Sequence, residues 1–363
     1  MNQETNNPGT PASPEAKIHK RRPRYSGRNP RHFHEKYKEL QAEKHPDIAA
    51  KILAGGKTLA GTHRPICVPE ILEILHPKPG DIALDATLGF GGHAAEILRA
   101  IQPGGKLLGM DVDPIELPKT EARLRSLLQD PQALVVRRSN FAGAARFINE
   151  EGFQGMDVIL ADLGLSSMQI DNPERGFTFK FDGPLDLRMN PQKGEPASAY
   201  LQKVGPETLA SILVENSDEP YADAIATAIV EARERNPIHN TKRLSAIIHD
   251  CLKSMKRNDA DVQSSQRRVF QALRIEVNDE FGALETFLRN LPSCLKAGGR
   301  AAILTFHSGE DRRVKKSFQN GQREGIYQEI ADDIIRPSAE EVRSNPRASS
   351  AKLRWAIKAS DSL

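Results

Sequence analysis

The chain has 363 residues, 38% of them hydrophobic and 27% charged, with a formal net charge of +3 at pH 7. That balance excludes wholesale disorder, collagen and small disulfide scaffolds, and the length suits roughly two domains of about 150 residues each. No apolar run approaches the roughly 18–20 residues that span a bilayer, so no membrane partner is expected.

The charge is uneven: residues 1–60 hold 12 Lys and Arg against 6 acids, and the remaining 303 residues hold 39 against 42. The N-terminus lacks an apolar core for a secretory signal. The three cysteines, Cys67, Cys251 and Cys294, form no CxxC pair. No metal site or disulfide framework is therefore indicated, and a cytoplasmic location is expected. Residues 1–31 read as a disordered basic arm. Its densest part, Lys17 to Lys38, carries nine basic residues and one acid, interleaved with Tyr25, Phe33 and Tyr37. It is either a solvated tail or an RNA-contacting arm whose charges displace phosphate counterions. Residues 32–54 read as a weakly amphipathic helix ended by Gly55-Gly56.

From His63 onward strands alternate with helices. Pro69 to Leu75 reads as a short helix stopped by Pro77. Ile82 to Ala86 is a buried strand, followed by a Gly-rich turn and a helix over His93–Ala100. Lys106 to Asp111 is a second strand, Glu116–Leu128 a helix, Ala133–Arg137 a third strand and Met156–Asp162 a fourth. This alternation predicts a parallel sheet covered on both faces. Residues 171–192 read as a loop, and 197–256 show only helical patterns, including the stripe Leu244, Ile247, Ile248, Cys251, Leu252, Met255. One long helix is expected from Phe270 through Val277, Phe281 and Leu288 to Leu291, with Gly298-Gly299 as its stop. A fifth strand at Ala301–Phe306 and a last one at Leu353–Lys358 complete the pattern. The expected divisions are a basic extension over 1–60, a first part of the catalytic domain over 61–170, a helical insertion over 171–262, and the second part of the domain over 263–363.

Three constellations carry chemistry. Asp85-Ala-Thr-Leu-Gly-Phe-Gly-Gly-His93 stands where the first strand turns into the first helix, and its glycines allow a ligand close backbone approach. Asp111 ends the second strand about twenty residues later, where an acid commonly takes a ribose hydroxyl pair. Together they indicate an adenosine-containing cofactor, either a dinucleotide or S-adenosylmethionine. Asp85 favours the latter, because an acid there suits the cofactor's ammonium and would repel a pyrophosphate. The third constellation is Asp162-Leu-Gly-Leu-Ser-Ser167 after the fourth strand. An acceptor there can aim the conjugated lone pair of an exocyclic amine at a methyl group. His307-Ser308 lack a nucleophile elbow, which tells against hydrolysis. Glu310-Asp311-Arg312-Arg313 reads as a solvated or capping cluster. Asp186 and Arg188 read as an ion pair or as cleft residues, and Arg347, Lys352 and Arg354 as surface charge or phosphate contacts.

Eight ordered segments then resemble the bacterial 16S rRNA (cytosine-N4)-methyltransferase family: 63–70, 85–93, Asp162-Leu-Gly-Leu-Ser-Ser-Met-Gln169, Arg175-Gly-Phe-Thr-Phe179, 183–189, Phe270-Gln-Ala-Leu-Arg-Ile-Glu-Val-Asn278, Phe306-His-Ser-Gly-Glu-Asp-Arg312 and 345–354. They cover about residues 61–358. The chain departs from the family pattern at Met168, where Pro is usual, and at Gly309, where Leu is usual. The resemblance implies an α/β fold: a Rossmann-like S-adenosylmethionine methyltransferase sheet with a helical insertion domain. It implies transfer of a methyl group from S-adenosyl-L-methionine to N4 of a cytidine in the decoding region of 16S rRNA, in the small ribosomal subunit. The cofactor residues implied are Gly91, Gly92, His93, Asp111, Phe141, Asp162 and Gln169, with Asp162 also catalytic. The helical insertion offers a surface for a homodimer. The competing readings are a methyltransferase acting on another nucleic-acid amino group and a non-catalytic RNA-binding ribosome-assembly protein.

Overall fold

The computed structural model describes residues 65–360. The basic arm and the helix expected over 32–54 lie outside them. Seven strands make one sheet: β1 (Ile82–Asp85), β2 (Lys106–Asp111), β3 (Leu134–Arg138), β4 (Met156–Asp162), β5 (Leu295–Thr305), β6 (Tyr327–Ile330) and β7 (Lys352–Lys358). Their order is β3-β2-β1-β4-β5-β7-β6. Strands β1 to β5 pair in parallel, and β7 runs antiparallel to both β5 and β6. This is the Rossmann-like α/β sheet that the alternating pattern predicts. The order reverses between β1 and β4, so a ligand crevice is expected outside their carboxyl ends.

The helices follow in chain order. The first four are α1 (Val68–Leu75), α2 (Gly92–Ile101), α3 (Leu117–Arg125) and α4 (Ala144–Glu150), and a short α5 (Ser167–Asp171) leads out of the sheet. Five helices come next: α6 (Ala197–Lys203), α7 (Pro206–Ser217), α8 (Ala222–Arg235), α9 (Thr241–Ser254) and α10 (Asp259–Asn278). The last three are α11 (Glu280–Cys294), α12 (Ser308–Arg323) and α13 (Ala339–Ser344).

Strand periodicity of two explains the layering. Leu84, Leu108, Ile159, Ala301 and Ile303 face one layer, with Phe147, Phe287, Leu291 and Phe318 from α4, α11 and α12. Their neighbours Ala83, Leu107, Val158, Leu160, Ala302 and Leu304 face the other, with Ile71, Leu75, Ile97, Ile101 and Leu124 from α1, α2 and α3. Buried on both faces, the central strands read as nearly continuous apolar runs. Residues 177–273 form a separate core that includes Leu201, Leu213, Ile225, Ile248 and Leu273. Helix α10 crosses the 262/263 division drawn from sequence: Val262 to Leu273 lie in this helical core.

Three expectations need correction. The single helix through Phe270 and Leu291 is two, because Asp279 adopts φ 49° and its N–H caps α10 on Glu276 O. The apolar spacing continues across the break, so periodicity could not show it. Gly298-Gly299 do not stop a helix; they lie within β5, where its register with β4 shifts. A Cβ on Gly299 would come 2.8 Å from Met156 O, so glycine is what allows β5 to close on β4 there. Strand β6 was not foreseen: it is a four-residue edge strand with only Tyr327 and Ile330 buried, too short for a period to register.

One ion pair ties the two cores together. Asp113, 1% exposed, follows β2, and Arg175, 6% exposed, opens the loop into the insertion. Arg175 Nη1 donates to Asp113 Oδ2 at 2.8 Å, and its Nη2 donates to Met189 O at 2.8 Å. The loop is pinned a second time by Asn278 on α10, which accepts from Met189 N–H at 2.7 Å and donates to Leu187 O at 2.7 Å. Asp186 and Arg188 make a bidentate pair within the same loop, the structural alternative of the two read from sequence. Removing one partner of a buried pair leaves an uncompensated charge. Arg175→Ala is therefore expected to lower unfolding free energy by about 3–5 kcal/mol, checked by urea titration.

Candidate functional site

The carboxyl ends of β1, β2 and β4 open into a cavity of about 690 Å³, within the size range of small-molecule sites. All seven residues marked from sequence line it: Gly91, Gly92, His93, Asp111, Phe141, Asp162 and Gln169.

The glycine turn explains the first wall. Gly89 and Gly91 adopt φ 47° and 65°, where a side chain would be strained. Helix α2 then starts at Gly92, so the first-turn amides of Gly92 and His93 have no helical carbonyl to bond. The turn is locked from both sides: Gly89 N–H donates to Asp111 Oδ2 at 2.7 Å, and Gly89 O accepts from Thr120 Oγ1 at 2.6 Å. Asp111 Oδ1 accepts from Asp113 N–H at 2.8 Å. Each Asp111 oxygen thus keeps a lone pair for a ligand, while burial pushes its pKa upward.

Asp162 ends β4. Its N–H donates to Thr87 Oγ1 at 2.6 Å, which stitches the strand to the glycine turn. Asp162 Oδ1 is buried without a hydrogen-bond partner among the described residues. Burial, with Glu310 as a second cause, pushes its pKa up to about 7. The His93 ring is turned inward and 7% exposed: Nε2 lies 2.9 Å from Ile66 O and Nδ1 3.5 Å from Asp162 Oδ2. Burial pushes its pKa down, which favours the neutral ring. His93 therefore meets a ligand through its main chain more readily than through its ring.

Phe141 lines the cavity and packs edge-on against Phe287, with ring centroids 5.6 Å apart. Gln169 is fixed twice. Its side chain accepts from Ser166 N–H at 2.9 Å in a capping box at α5, and its Nε2 donates to Asp113 Oδ2 at 2.7 Å.

Asp85 departs from expectation. It is 2% exposed and is not among the cavity-lining residues; it sits behind the turn and accepts from Thr87 N–H at 3.1 Å. The acid that opens on the cavity is Asp162, one strand over. Of the two alternatives for the cluster at 310–313, Glu310 takes the capping one, with Oε2 accepting from Phe306 N–H at 2.9 Å ahead of α12, but it is not solvated: it is 3% exposed and lines the cavity. Lys352 and Arg354 are held by Asp311, and Arg347 by Asp171 at 2.7 Å.

Sequence reading missed a second wall. Arg274 and Asn278 from the end of α10, Glu280 from α11, and His307 and Glu310 beyond β5 all face the cavity. Each was visible in the segments 270–278 and 306–312, but only the fold shows that they meet. Glu280, His307 and Glu310 bring one potential ligand atom each within 4.8 Å of one another, a grouping the sequence did not indicate. Arg274 already grips Glu280 at 2.7 and 2.9 Å, so its guanidinium supplies the positive charge a cation would bring.

The cavity fits S-adenosyl-L-methionine. Asp111 offers two acceptors suited to a ribose diol, Phe141 an aromatic face, the α2 amides a seat for a carboxylate, and Asp162 an unpartnered carboxylate oxygen for a cationic or N–H group.

Comparison with known proteins agrees. The family model described as the MraW methylase family matches residues 60–359. The chain is 51% identical to ribosomal RNA small subunit methyltransferase H 1 of Lachnoclostridium phytofermentans, over 97% of this chain and 96% of that protein. It is 52% identical to ribosomal RNA small subunit methyltransferase H 2 of Alkaliphilus metalliredigens, over 93% of this chain and 97% of that one. With ribosomal RNA small subunit methyltransferase H 1 of Agathobacter rectalis the identity is 49%, over 95% and 99%.

The buried acids give a pH signature. Burial pushes the Asp85 pKa from 3.8 to about 7, so between those values the folded chain keeps a proton that the unfolded chain has released. Stability therefore falls as pH rises through that window. Asp85→Asn, which keeps an acceptor for Thr87 N–H, is expected to reduce the stability lost between pH 5 and pH 8 by about 3 kcal/mol. Urea unfolding of both proteins at the two pH values checks this.

Proposed function

The chain belongs to the MraW methylase family, and from that premise we propose that it methylates the exocyclic N4 of a cytidine in the decoding region of 16S rRNA, within the small ribosomal subunit. S-adenosyl-L-methionine is the cofactor and supplies a methyl group on a positively charged sulfur. The observation that carries the finer reading is Asp162 Oδ1, buried without a hydrogen-bond partner among the described residues, in a side chain that lines the cavity at the carboxyl end of β4.

The chain's own residues divide the work. Asp111 would hold the ribose, Phe141 would pack on the adenine, and Gly92 and His93 would offer their amides to the carboxylate; the Gly91 amide is already given to Leu88 O at 2.6 Å, so Gly91 contributes through the positive φ of the turn. Gln169, fixed by Asp113, closes the near side. Asp162 accepts a hydrogen bond from the N4 amine and turns its lone pair toward the methyl group. The displacement is direct and in line, and the enzyme contributes orientation and electrostatics. The cytosine enters unstacked, because its amine is out of reach within a stack.

Two features favour nitrogen over carbon as the methylated atom. Carbon-5 methylation needs a cysteine nucleophile. None of the three cysteines lines the cavity, and burial pushes the Cys67 thiol up to about 12 and the Cys294 thiol up to about 11. The rRNA substrate is favoured by the names of the relatives, each a ribosomal RNA small subunit methyltransferase.

Methyl transfer from labelled S-adenosyl-L-methionine to small subunits lacking the modification, with the product nucleoside read by mass spectrometry, tests the reading. N4-methylcytidine is the expected product; a different methylated nucleoside, or none, overturns it. Asp162→Ala is expected to slow transfer by about 100-fold or more. Asp111→Ala is expected to raise the cofactor Kd roughly 10- to 100-fold, as suits loss of charge-assisted hydrogen bonds, and calorimetric titration reads this directly.

A further inference from the structure

We propose that His307, oriented by Glu310, accepts the proton that the amine loses on methylation. This rests on the reading of the cavity as an amine-methylating site.

Placement comes first. β4 and β5 are parallel neighbours, and Asp162 is in register with Leu304. His307 stands three residues beyond Leu304, where β5 has ended and α12 is about to begin. Asp162 and His307 therefore rise from adjacent strand ends into one cavity, which both line.

The ring is built in rather than left at the surface. Its side chain is 11% exposed, and the Phe281 ring packs on it with centroids 5.7 Å apart. Nε2 lies 3.2 Å from Glu310 Oε1, an ion-pair distance without hydrogen-bond geometry, and both ring nitrogens are buried without a hydrogen-bond partner among the described residues. In the tautomer that puts hydrogen on Nε2, beside the carboxylate, Nδ1 carries the lone pair. A Cβ on Gly309 would sit 3.2 Å from Nδ1 and 2.6 Å from Phe281 Cζ, so glycine keeps both the nitrogen and the ring contact free of crowding.

The surrounding charges suit a ring that becomes cationic. Glu310 is buried, which pushes its pKa up, but His307, the Phe306 N–H and Arg274 together hold it below the ordinary carboxylate value. From α11, Glu280 lies in the same cluster with its charge answered by Arg274 of α10. From β4, Asp162 faces Glu310 across the cavity. An imidazolium at 307 thus has an ionised carboxylate beside it.

The bookkeeping of atoms is simple. The N4–CH3 bond forms as the S–CH3 bond breaks, and sulfur keeps that electron pair. N4 then bears a positive charge and one hydrogen too many. That proton passes to His307 Nδ1, and solvent removes it after product leaves. Asp162 remains the acceptor of the amine's other N–H, which is why a second group is needed.

The test uses full-length enzyme and small subunits lacking the methyl group, and first requires that the wild type yields N4-methylcytidine; failure at that stage refutes the amine-site reading itself. His307→Ala and His307→Gln are then compared in single turnovers, with cofactor Kd measured for each. The expected result is a loss of about 100-fold or more in the transfer rate at unchanged cofactor Kd. Added imidazole should restore at least 10-fold of that loss, tracking the free-base concentration as pH is varied. The Gln variant keeps a polar contact with Glu310 and guards against misfolding of the Ala variant. Transfer within threefold of wild type in either variant, or no imidazole rescue in both, overturns the proposal. Glu310→Gln should slow transfer while shifting the acid limb of the pH profile to lower pH; an unmoved limb removes Glu310 from its orienting role.

Discussion

The carboxylate of Asp113 is the point on which the site depends. Its Oδ1 caps the turn after β2 by accepting from Ile115 N–H at 2.8 Å and Glu116 N–H at 3.3 Å. Its Oδ2 accepts from Gln169 and Arg175 at 2.7 and 2.8 Å. One buried group thereby fixes the loop carrying Asp111, the helix carrying Gln169 and the entry to the insertion. Burying an ion pair costs several kcal/mol in desolvation and is offset only when every remaining donor and acceptor is used. Here Asp113 accepts four hydrogen bonds and Arg175 donates to two main-chain carbonyls besides, so the pair contributes registry between the two cores more than net stability.

That registry explains how a site can be shared by parts of the chain far apart in sequence. The sheet edge supplies acids at three strand ends and keeps them close. Packed together under burial, Asp85, Asp111 and Asp162 all have their pKa values raised. Burial, more than mutual repulsion, raises them, and of the three only Asp111 and Asp162 line the cavity, where a cationic ligand would favour their charged forms.

Much of this was legible in the residues. Strand ends are readable because apolar runs stop at a charged residue, and Asp85, Asp111 and Asp162 mark three of them. The glycine turn is readable because positive φ restricts residue choice. The second wall was not legible by the same means. Arg274, Asn278 and Glu280 flank a break at Asp279 that the apolar period does not register, and His307 and Glu310 follow a strand whose start was itself obscured by the Gly298-Gly299 bulge. Asp85 was assigned to the ligand because a position in sequence says which strand end a carboxylate occupies, not which side of the turn it faces. The side is set by Thr87, whose N–H turns back onto Asp85 and whose hydroxyl reaches across to β4.

The break at Asp279 also accounts for the geometry of the second wall. A helix continuing past Asn278 would place Glu280, six residues after Arg274, about 120° round the axis from it and on a different face. With Asp279 in the left-handed region, α11 sets off in a new direction, and Glu280 folds back to meet Arg274 in a bidentate pair. That pair leaves Asn278 free to hold the 187–189 backbone and brings Phe281 against His307. One residue of unusual φ thus joins the helical core, the loop entering it and the wall opposite Asp162. The same break lets α10 belong to the insertion along most of its length and to the cavity at its end.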